Sequence, residues 1–369
     1  MRRDWIYSLL IMSLITVSQS LAYEKKASWV TPEAKRMIDC LMDNEITFGM
    51  AIGVVTKEGE EIYCIGKTAG EGGKDIDKDT VFRLGSTTKG FTGILFADLV
   101  LKKKVRLNDP LDKFLPESVK VPERKNRKIK FIDLVTHSSA LPVRSTDFDI
   151  LANEDYTLDQ LYLNLSTIEL EWDIGKKYSY SSLGASLVGH VVCLIEKKTF
   201  SEVLKEKICD ELGMTSTDVI LTEDMQQRIS KGHDQRKPAD WLYIPDVFSP
   251  SGSISTTIED MLKFLEANLG LTDSPIKDAM KLSHGKLRDY DDRSLGMFWR
   301  HFDKEGKTYI GHSGDTFGFS AYVGFDKEKT IGVAVLSNGK MGVREFAFHI
   351  MSGGKYKLKI ENILRYYYE

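Results

Sequence analysis

The chain has 369 residues, of which 42% are apolar and 28% charged, and its formal net charge is −3. This composition is typical of a globular protein with a substantial core and excludes a disordered or fibrous chain. The basic run at residues 123–130 predicts a solvated loop rather than a nucleic-acid surface, because no binding motif accompanies it. No nucleic-acid partner is therefore expected.

The first 22 residues have the pattern of a secretory signal peptide. Basic residues in 1–4 precede a mainly apolar stretch at 5–17, and small residues follow at Ser20 and Ala22. We expect cleavage after Ala22 and an exported, periplasmic or extracellular protein. The apolar stretch is shorter than the ~20 residues of a comfortable membrane span. No stable span is expected after cleavage, and an uncleaved anchor is the alternative.

Helix and strand signals alternate through the first hundred residues. Thr31 and Pro32 favour a helix start, and the helix should run to about Met42. Residues 50–56 and 61–65 are strand-like and joined by a turn signal, which predicts a hairpin. The glycine-rich run at 69–74 lacks the spacing of a phosphate loop and is interpreted as a connection.

An extended segment at 80–84 then leads into a helical pattern through residue 100, so we expect a helix to begin at or near Ser86. Ser86 and Lys89 would share one face of its first turn. Unpaired N–H groups at a helix start favour developing negative charge, and a desolvated lysine can take the proton of a serine. Ser-x-x-Lys is a weak pattern, since it occurs five times, at Ser86, Ser274, Ser283, Ser337 and Ser352. Only the Ser86 copy lies between an extended segment and an amphipathic helix.

The middle of the chain is mostly helical in pattern from about residue 130 to 214, and a further helix is expected near residue 255. Strands are predicted at 295–300, 307–311, 317–325 and 330–336, and a last helix at 343–351. Strands at both ends around a helical middle predict an α+β fold with one antiparallel sheet built from both chain ends. We expect a single domain over 23–369, with mixed α/β regions at about 30–100 and 250–352 and a helical region at about 101–249.

Four cysteines lie in the part expected to be exported: Cys40, Cys64, Cys193 and Cys209. Outside the cytosol they could form disulfides in three pairings, between which the sequence does not choose. Cys193 falls in the apolar helical pattern at 187–195, where a buried free thiol is the simpler interpretation. Neither the cysteines nor the seven histidines have metal-ligand spacing, so no metal and no cofactor are expected.

Three motifs in fixed order carry a family resemblance. They are Ser86-Thr-Thr-Lys89 at a helix start, Tyr180 in a loop that opens a later helix, and His312-Ser-Gly314 on a C-terminal strand. Together, over roughly residues 30–352, they resemble the penicillin-recognising serine hydrolases, most closely class C β-lactamases and related DD-peptidases and esterases. The resemblance implies a β-lactamase/transpeptidase-like fold, in which an antiparallel sheet is flanked by helices.

The resemblance also implies roles for individual residues. Ser86 would attack a carbonyl and become acylated, while Lys89 and Tyr180 would move protons in a division of labour that stays open. The oxyanion would lie between the backbone N–H groups of Ser86 and Asp315. Substrate contacts would also come from four residues, Ser182, His312, Ser313 and Gly314.

Two positions depart from the family pattern. Ser182 stands where the β-lactam and peptide enzymes usually have an asparagine that binds the substrate amide, and it lacks the paired donor and acceptor of an amide. His312 stands where β-lactamases have lysine. Histidine is cationic only below about pH 6.5 unless its surroundings shift its pKa, so carboxylate binding there is expected to be weaker or pH-sensitive.

Three functions follow from these patterns. The first is a secreted hydrolase that forms an acyl-enzyme with β-lactams or D-Ala-D-Ala peptides. A carboxylesterase with the same machinery is the second, favoured by Ser182 because an ester has no amide N–H. The third, a non-catalytic cell-wall binding or sensing protein, would have no need of Ser86, Lys89 and Tyr180 together. Tyr162 and His190 are expected to pack in the core, and His137 to be structural at a helix end.

Overall fold

The computed structural model describes residues 28–149, 155–234, 237–239, 244–290 and 293–368, with side chains omitted for 366–368. The predicted signal peptide, residues 1–22, lies outside the described residues. Among the helices of the described part, none is both long and apolar enough to cross a membrane.

One eight-stranded antiparallel sheet organises the molecule. The strands in chain order are β1 Gly49–Thr56, β2 Gly59–Gly66, β3 Phe82–Arg83, β4 Glu123–Arg124, β5 Arg127–Lys128, β6 His233–Asp234, β7 Lys237–Pro238, β8 Ser255–Thr256, β9 Arg288–Tyr290, β10 Arg293–Leu295, β11 Arg300–Lys304, β12 Lys307–Thr316, β13 Phe319–Asp326 and β14 Ile331–Ser337. The strand order in the eight-stranded sheet is β2-β1-β14-β13-β12-β11-β10-β9. In this sheet β1 lies beside β14, with Val54 opposite Val333. The predicted sheet from both chain ends is therefore confirmed.

Helices cover both faces of this sheet and fill the middle of the chain. The α-helices are Pro32–Asp43, Thr88–Leu101, Phe131–Val135, Leu158–Thr167, Ser182–Glu196, Phe200–Leu204, Asp210–Leu212, Glu223–Arg228, Ser249–Gly252, Ile258–Leu269, Lys277–His284, Arg344–Met351 and Ile360–Tyr368. The last of these is absent from the sequence-based prediction. Two glycines, Gly353 and Gly354, separate it from the helix Arg344–Met351.

The alternation of side chains along β1 explains why both faces need cover. Met50, Ile52 and Val54 pack on one face against the helices Pro32–Asp43 and Arg344–Met351. Ala51 and Val55 point to the other face, in the larger core that contains the helix Ile258–Leu269. A strand buried on both faces is apolar throughout, as the sequence at 50–55 is.

The helix Thr88–Leu101 lies at the centre of the larger core, with side chains buried from Thr88 to Ala97. Two of its glycines lie against a neighbouring turn at residues 296–299. A Cβ on Gly93 would lie 2.2 Å from the carbonyl oxygen of Met297, and one on Gly90 would lie 3.0 Å from the ring of Trp299. The helix and this turn can approach closely only because those side chains are missing.

One predicted strand is wrong, because that turn interrupts it. Residues 295–300, predicted as a single strand, instead end β10 and begin β11, and the chain bends between them with φ +65° at Phe298. The apolar run that suggested a strand is buried because Met297, Phe298 and Trp299 pack into the core. Conversely, β12 continues to Thr316, beyond the predicted end at residue 311. The four cysteines are free thiols, so none of the three possible disulfide pairings is formed.

Candidate active site

Ser86 lies in a single 3₁₀ turn, Gly85–Thr87, between β3 and the helix Thr88–Leu101. The predicted helix start is thus correct to within two residues. Gly85 has φ +51°, a left-handed conformation that a side chain would strain. The turn is anchored because Leu84 N–H donates to the carbonyl of Ile254 at 2.8 Å.

The strand β12 passes directly over this turn. A Cβ on Gly314 would lie 2.0 Å from the carbonyl oxygen of Leu84 and 2.9 Å from the amide nitrogen of Ser86. From the other side, a Cβ on Gly85 would lie 3.0 Å from the amide nitrogen of Asp315. Two glycines therefore bring the backbone of Asp315 against the Ser86 turn, where the predicted oxyanion donors must meet.

Lys89 is the second residue of the helix Thr88–Leu101 and is fully buried. Its Nζ donates to Ser86 Oγ at 3.0 Å and to the carbonyl of Ser251 at 2.6 Å. Burial, and then the positive charge of Arg144, lower the pKa of Lys89 to about 7. A substantial fraction of Lys89 is therefore uncharged at neutral pH, and an uncharged amine can accept a proton.

Tyr180 lies in the loop before the helix Ser182–Glu196 and also contacts Ser86. Its hydroxyl donates to Ser86 Oγ at 2.7 Å, and its ring lies 5.0 Å from Lys89 Nζ. Burial raises the pKa of Tyr180 to about 12, although hydrogen bonds with Ser86 and Ser182 lower it. Tyr180 is therefore a protonated donor at neutral pH. The next residue, Ser181, caps the helix Ser182–Glu196 by accepting the N–H of Gly184 at 2.9 Å.

Ser86 opens into a cavity of about 350 Å³. Its wall is formed by the Ser86 turn, the Tyr180 loop, the segment after the helix Phe131–Val135, the strands β10 to β12 with the turn between β10 and β11, and the start of the helix Arg344–Met351. The lining residues are Ser86, His137, Tyr178, Tyr180, Leu295, Phe298, Arg300, Phe302, His312, Ser313, Asp315 and Arg344. The structure thus brings together the predicted residues Ser86, Tyr180, His312, Ser313 and Asp315. Lys89 lies beneath Ser86, and Gly314 forms the contact with its turn.

The predicted substrate strand carries a neutral histidine. His312 is 8% exposed, and its Nδ1 lies 2.6 Å from the carbonyl oxygen of Ser313. Burial, followed by the charge of Lys89, lowers the pKa of His312 to about 3. The surroundings thus shift the pKa of His312 away from 6.5, and the imidazole is uncharged at neutral pH. Asp315 is exposed to solvent, and its carboxyl accepts a hydrogen bond from Ser320 Oγ at 2.6 Å.

Two arginines supply the positive charge that His312 lacks. Arg300 begins β11 and Arg344 begins the helix Arg344–Met351, and both guanidinium groups stand over the Phe302 ring, at 4.7 and 5.2 Å. The sequence analysis missed both residues, since an arginine at the start of a strand or helix has no distinguishing pattern. Their position in the cavity wall makes them candidates for binding an anionic group.

Ser182 lies apart from β12, the strand that carries His312. It begins the helix Ser182–Glu196, and its side chain lines a second cavity of about 180 Å³ on the other side of Ser86. The wall of that cavity is mixed, with aromatic rings from Phe148, Phe248 and Phe317 beside polar residues that include Arg144. Ser86 and Asp315 line both cavities, so a substrate bound at Ser86 has space on either side.

Other histidines were interpreted as structural. His190 is half-buried and hydrogen-bonded to the hydroxyl of Tyr162 at 2.5 Å, in keeping with packing roles for both. His137 does follow a helix end, but its side chain also lines the Ser86 cavity. Its place in a run of small and hydroxyl-bearing residues at 136–140 is a sequence signal that could have drawn attention to it. Nowhere in the described ranges do three or more His, Cys, Asp or Glu side chains form a metal-binding group.

The arrangement has the parts that acyl transfer needs. A serine hydroxyl lies between an amine of depressed pKa and a protonated phenol, and two backbone segments meet beside it. The amine can take the serine proton, the phenol can give a proton to a leaving group, and backbone N–H groups can stabilise an oxyanion. No catalytic metal is required by this chemistry.

Comparison with known proteins finds similarity over most of the chain. A protein-family model described as "Beta-lactamase" matches residues 34–352. A protein named "Beta-lactamase" from Yersinia enterocolitica is 22% identical, with 90% of this chain and 92% of that protein covered. Another "Beta-lactamase", from Lysobacter lactamgenus, is 21% identical over 83% of this chain and 86% of that protein. "Protein flp" of Staphylococcus aureus strain N315 is 22% identical over 84% of this chain, and the match spans only 64% of that longer protein.

Proposed function

This chain belongs to the beta-lactamase family of serine hydrolases, and from that premise we propose that Ser86 forms an acyl-enzyme with β-lactams or D-Ala-D-Ala-type peptides. The observation that carries the proposal is the position of Ser86 Oγ, 3.0 Å from Lys89 Nζ and 2.7 Å from the hydroxyl of Tyr180. At about 22% identity the relatives support the family and the hydrolase chemistry, and the substrate is our own proposal.

The pKa values of Lys89 and Tyr180 differ, which supports different roles for the two residues in proton transfer. With a pKa of about 7, Lys89 is the group that can be uncharged and accept the proton of Ser86 at neutral pH. With a pKa of about 12, Tyr180 begins the reaction protonated. In the acylation step Ser86 Oγ bonds to the carbonyl carbon as its proton passes to Lys89. Tyr180 then protonates the departing nitrogen and regains a proton from Lys89.

Backbone donors would stabilise the tetrahedral oxyanion. The N–H groups of Ser86 and Asp315 are the candidates, because Gly85 and Gly314 let their segments approach without side chains between them. In the second half of the reaction water attacks the acyl carbon and the bond from that carbon to Ser86 Oγ breaks. A proton passes from the water, by way of Tyr180, to Ser86 Oγ, which regains its hydroxyl. The relative rate of that step separates a β-lactamase from a peptidase that penicillin inhibits.

The positive charge in the wall of the larger cavity supports the binding of a substrate with an anionic group on its leaving-group side. Both β-lactams and D-Ala-D-Ala peptides carry a carboxylate there, and Arg300 and Arg344 line that cavity. Arginine can bind a carboxylate through two parallel hydrogen bonds. Because His312 is neutral above about pH 3, these arginines replace the charge that lysine provides in β-lactamases.

A carboxylesterase is the second candidate, and the smaller cavity favours it. Its aromatic wall suits an apolar acyl chain, and Ser182 offers a hydroxyl rather than an amide to the substrate. An ester has no amide N–H that would be left unpaired at this position. The catalytic steps at Ser86 would be the same.

A mass-spectrometric experiment would test the proposal. The protein is mixed with benzylpenicillin for intact-mass measurement, and turnover of a chromogenic cephalosporin, a D-Ala-D-Ala peptide and a p-nitrophenyl ester is measured in parallel. A stable penicilloyl adduct supports a peptidase, rapid cephalosporin turnover a β-lactamase, and ester turnover alone an esterase. A folded wild-type protein that forms no adduct and turns over none of the substrates would support the non-catalytic binding protein.

Two serine variants make the result specific. Ser86→Ala should remove every adduct and every turnover. Ser352→Ala is the matched control, because Ser352 lies in another Ser-x-x-Lys sequence. Its hydroxyl hydrogen-bonds to local backbone groups, the carbonyl of His349 and the N–H of Tyr356. If Ser86→Ala kept wild-type activity, the assignment of the nucleophile would be wrong.

We further propose that the protein is exported and cleaved after Ala22. The support is the basic, apolar and small-residue order of residues 1–22. N-terminal sequencing of protein recovered from a bacterial host, with its cell fractions separated, would test both points. A cytoplasmic protein that retains residue 1 would contradict the proposal.

A further inference from the structure

His137 has an unusual backbone and an enclosed side chain. It follows the helix Phe131–Val135 with φ +50°, in the left-handed region that non-glycine residues adopt uncommonly. The residue is only 2% exposed, yet its side chain forms part of the wall of the Ser86 cavity. A residue held in such a conformation at a cavity wall is a candidate for a functional role.

The contacts of His137 surround Tyr180 on three sides. Its carbonyl accepts the N–H of Ser179 at 2.7 Å, and its Nδ1 accepts the N–H of Ser181 at 3.2 Å. The imidazole ring lies 4.6 Å from the Tyr180 ring, measured between centroids. One residue therefore holds the backbone on both sides of Tyr180 and also packs against its side chain.

These contacts define the protonation of the imidazole. Because Nδ1 accepts a hydrogen bond, the neutral ring carries its proton on Nε2. Burial, followed by the charge of Lys89, holds the pKa of His137 well below its usual value. Within the described part of the chain, Nε2 has no hydrogen-bond partner, and a buried donor without a partner destabilises a fold.

We propose that His137 is the positioning residue for Tyr180, which it fixes so that the tyrosine hydroxyl meets Ser86 Oγ and its ring shields Lys89 from water. The inference rests on the proposed function, because it assigns importance to the position of Tyr180. Ser181 alone does not explain that position. Its hydroxyl donates to the carbonyl of Pro142 at 2.7 Å and so fixes only the side of Tyr180 that leads into the next helix.

Loss of this positioning should change the environment of Lys89. The Tyr180 ring lies 5.0 Å from Lys89 Nζ, so a displaced tyrosine would admit water. Hydration would raise the pKa of Lys89 from about 7 toward 10.5, and Ser86 would then react only at higher pH. The titratable or charged groups that face His137 are Lys89 from its helix, His312 from β12, and Tyr178 and Tyr180 from their loop.

Three substitutions separate the hydrogen bond from the bulk of the ring. His137→Asn keeps an acceptor oxygen near the position of Nδ1, and asparagine tolerates the left-handed region. His137→Phe keeps a ring without an acceptor. His137→Gly relaxes the backbone and also lacks the acceptor, so it serves if the phenylalanine variant does not fold.

The readout is labelling of Ser86 by an alkyl fluorophosphonate. In this reaction Ser86 Oγ bonds to phosphorus, fluoride leaves, and the serine proton passes to Lys89, so the rate reports the nucleophile without a chosen substrate. Rates would be measured from pH 5.5 to 10 by intact mass, and circular dichroism would confirm that each variant is folded.

We expect His137→Phe and His137→Gly to lower the rate at pH 7 by about 10-fold or more and to move the rise of the rate to higher pH. His137→Asn should stay within about 3-fold of wild type with an unmoved profile. A folded variant without the acceptor that keeps the wild-type rate and profile would overturn the inference, as would an asparagine variant as slow as the phenylalanine variant. Labelling that persists in Ser86→Ala, or no labelling of the wild type, would instead overturn the proposed function.

Discussion

Tyr180 donates a hydrogen bond to Ser86 Oγ at 2.7 Å, although the two residues are 94 positions apart in the chain. The contact joins the loop before the helix Ser182–Glu196 to the turn before the helix Thr88–Leu101. Burial keeps the tyrosine protonated while it lowers the pKa of Lys89 to about 7, so one enclosed space prepares a proton donor and a proton acceptor. The following predictions test that division.

Removal of the Lys89 amine should abolish proton transfer from Ser86. We expect Lys89→Met to lower kcat/KM by about 10²- to 10⁴-fold, the usual contribution of a general base, with the fold intact. The measurement is turnover of whichever substrate the wild type accepts. Lys281→Met, an exposed lysine on the helix Lys277–His284, is the control and should have little effect. An equal loss in both variants would contradict the role of Lys89.

The activity should rise with pH through about 7. Below its pKa Lys89 is protonated and cannot accept a proton, whereas above it the amine is free, so the acidic limb of kcat/KM should lie near that value. The pKa of His312, about 3, lies well below this range. We therefore expect His312→Gln to leave the limb in place. A limb that disappeared in this variant would show that His312 titrates instead.

Arg300 and Arg344 should act on anionic substrates only. A hydrogen bond to a charged group contributes about 1.5–3 kcal/mol. Arg300→Gln or Arg344→Gln should therefore raise KM for a penicillin, or for a peptide with a free carboxylate, by about 10- to 100-fold. Turnover of a neutral p-nitrophenyl ester by the same variants serves as the internal control and should change little. An equal loss on both substrates would indicate a structural effect.

Gly314→Ala should disable the site by displacement. Its Cβ would lie 2.0 Å from the carbonyl oxygen of Leu84, so β12 or the Ser86 turn must move. A shift of about 1 Å can lower the rate by about 100-fold, and we expect a loss of at least that size in kcat. At Gly184 the nearest atom to a new Cβ would be 3.4 Å away, so Gly184→Ala is the tolerated control.

Asp133 should contribute to stability rather than to the chemical step. Its buried carboxylate contacts Arg127 at 2.9 Å and Arg288 at 2.8 Å, which ties together segments behind His137. Asp133→Asn should lower the free energy of unfolding by about 3 kcal/mol, the low end for breaking a buried pair, since Arg127 is 40% exposed. Urea unfolding would measure the change. The exposed pair of Asp112 and Lys128 makes Asp112→Asn a nearly neutral control.

The sequence predicts those parts of the molecule that depend on local pattern. A continuous apolar run identified β1, and a turn signal identified its hairpin with β2. Helical spacing placed the helix after Ser86 within two residues of its observed start. Order along the chain was enough to propose Ser86, Lys89, Tyr180 and the strand at 312–315 as one site. Each of these features is a short segment or a sequence of segments.

Features that depend on tertiary packing were not predictable in this way. The bend at Phe298 arises because the turn packs against Gly90 and Gly93, two residues about 200 positions earlier. The burial that makes His312 neutral comes from several segments at once, so its unperturbed pKa was a poor guide. Likewise, nothing in the pattern around Arg300, Arg344 or His137 indicates which wall of a cavity they form.

The pairing of β1 with β14 has a consequence for the order of events during synthesis. Val54 emerges from the ribosome long before Val333, so the N-terminal hairpin must wait for its partner strand. The Ser86 turn likewise lacks its cover until Gly314 and Asp315 have been made. Such long-range pairing slows folding and leaves strand edges exposed meanwhile. The active site is therefore complete only after the last strands have been made. A chain truncated before them would contain Ser86 but would lack the backbone of Gly314 and Asp315 that covers it.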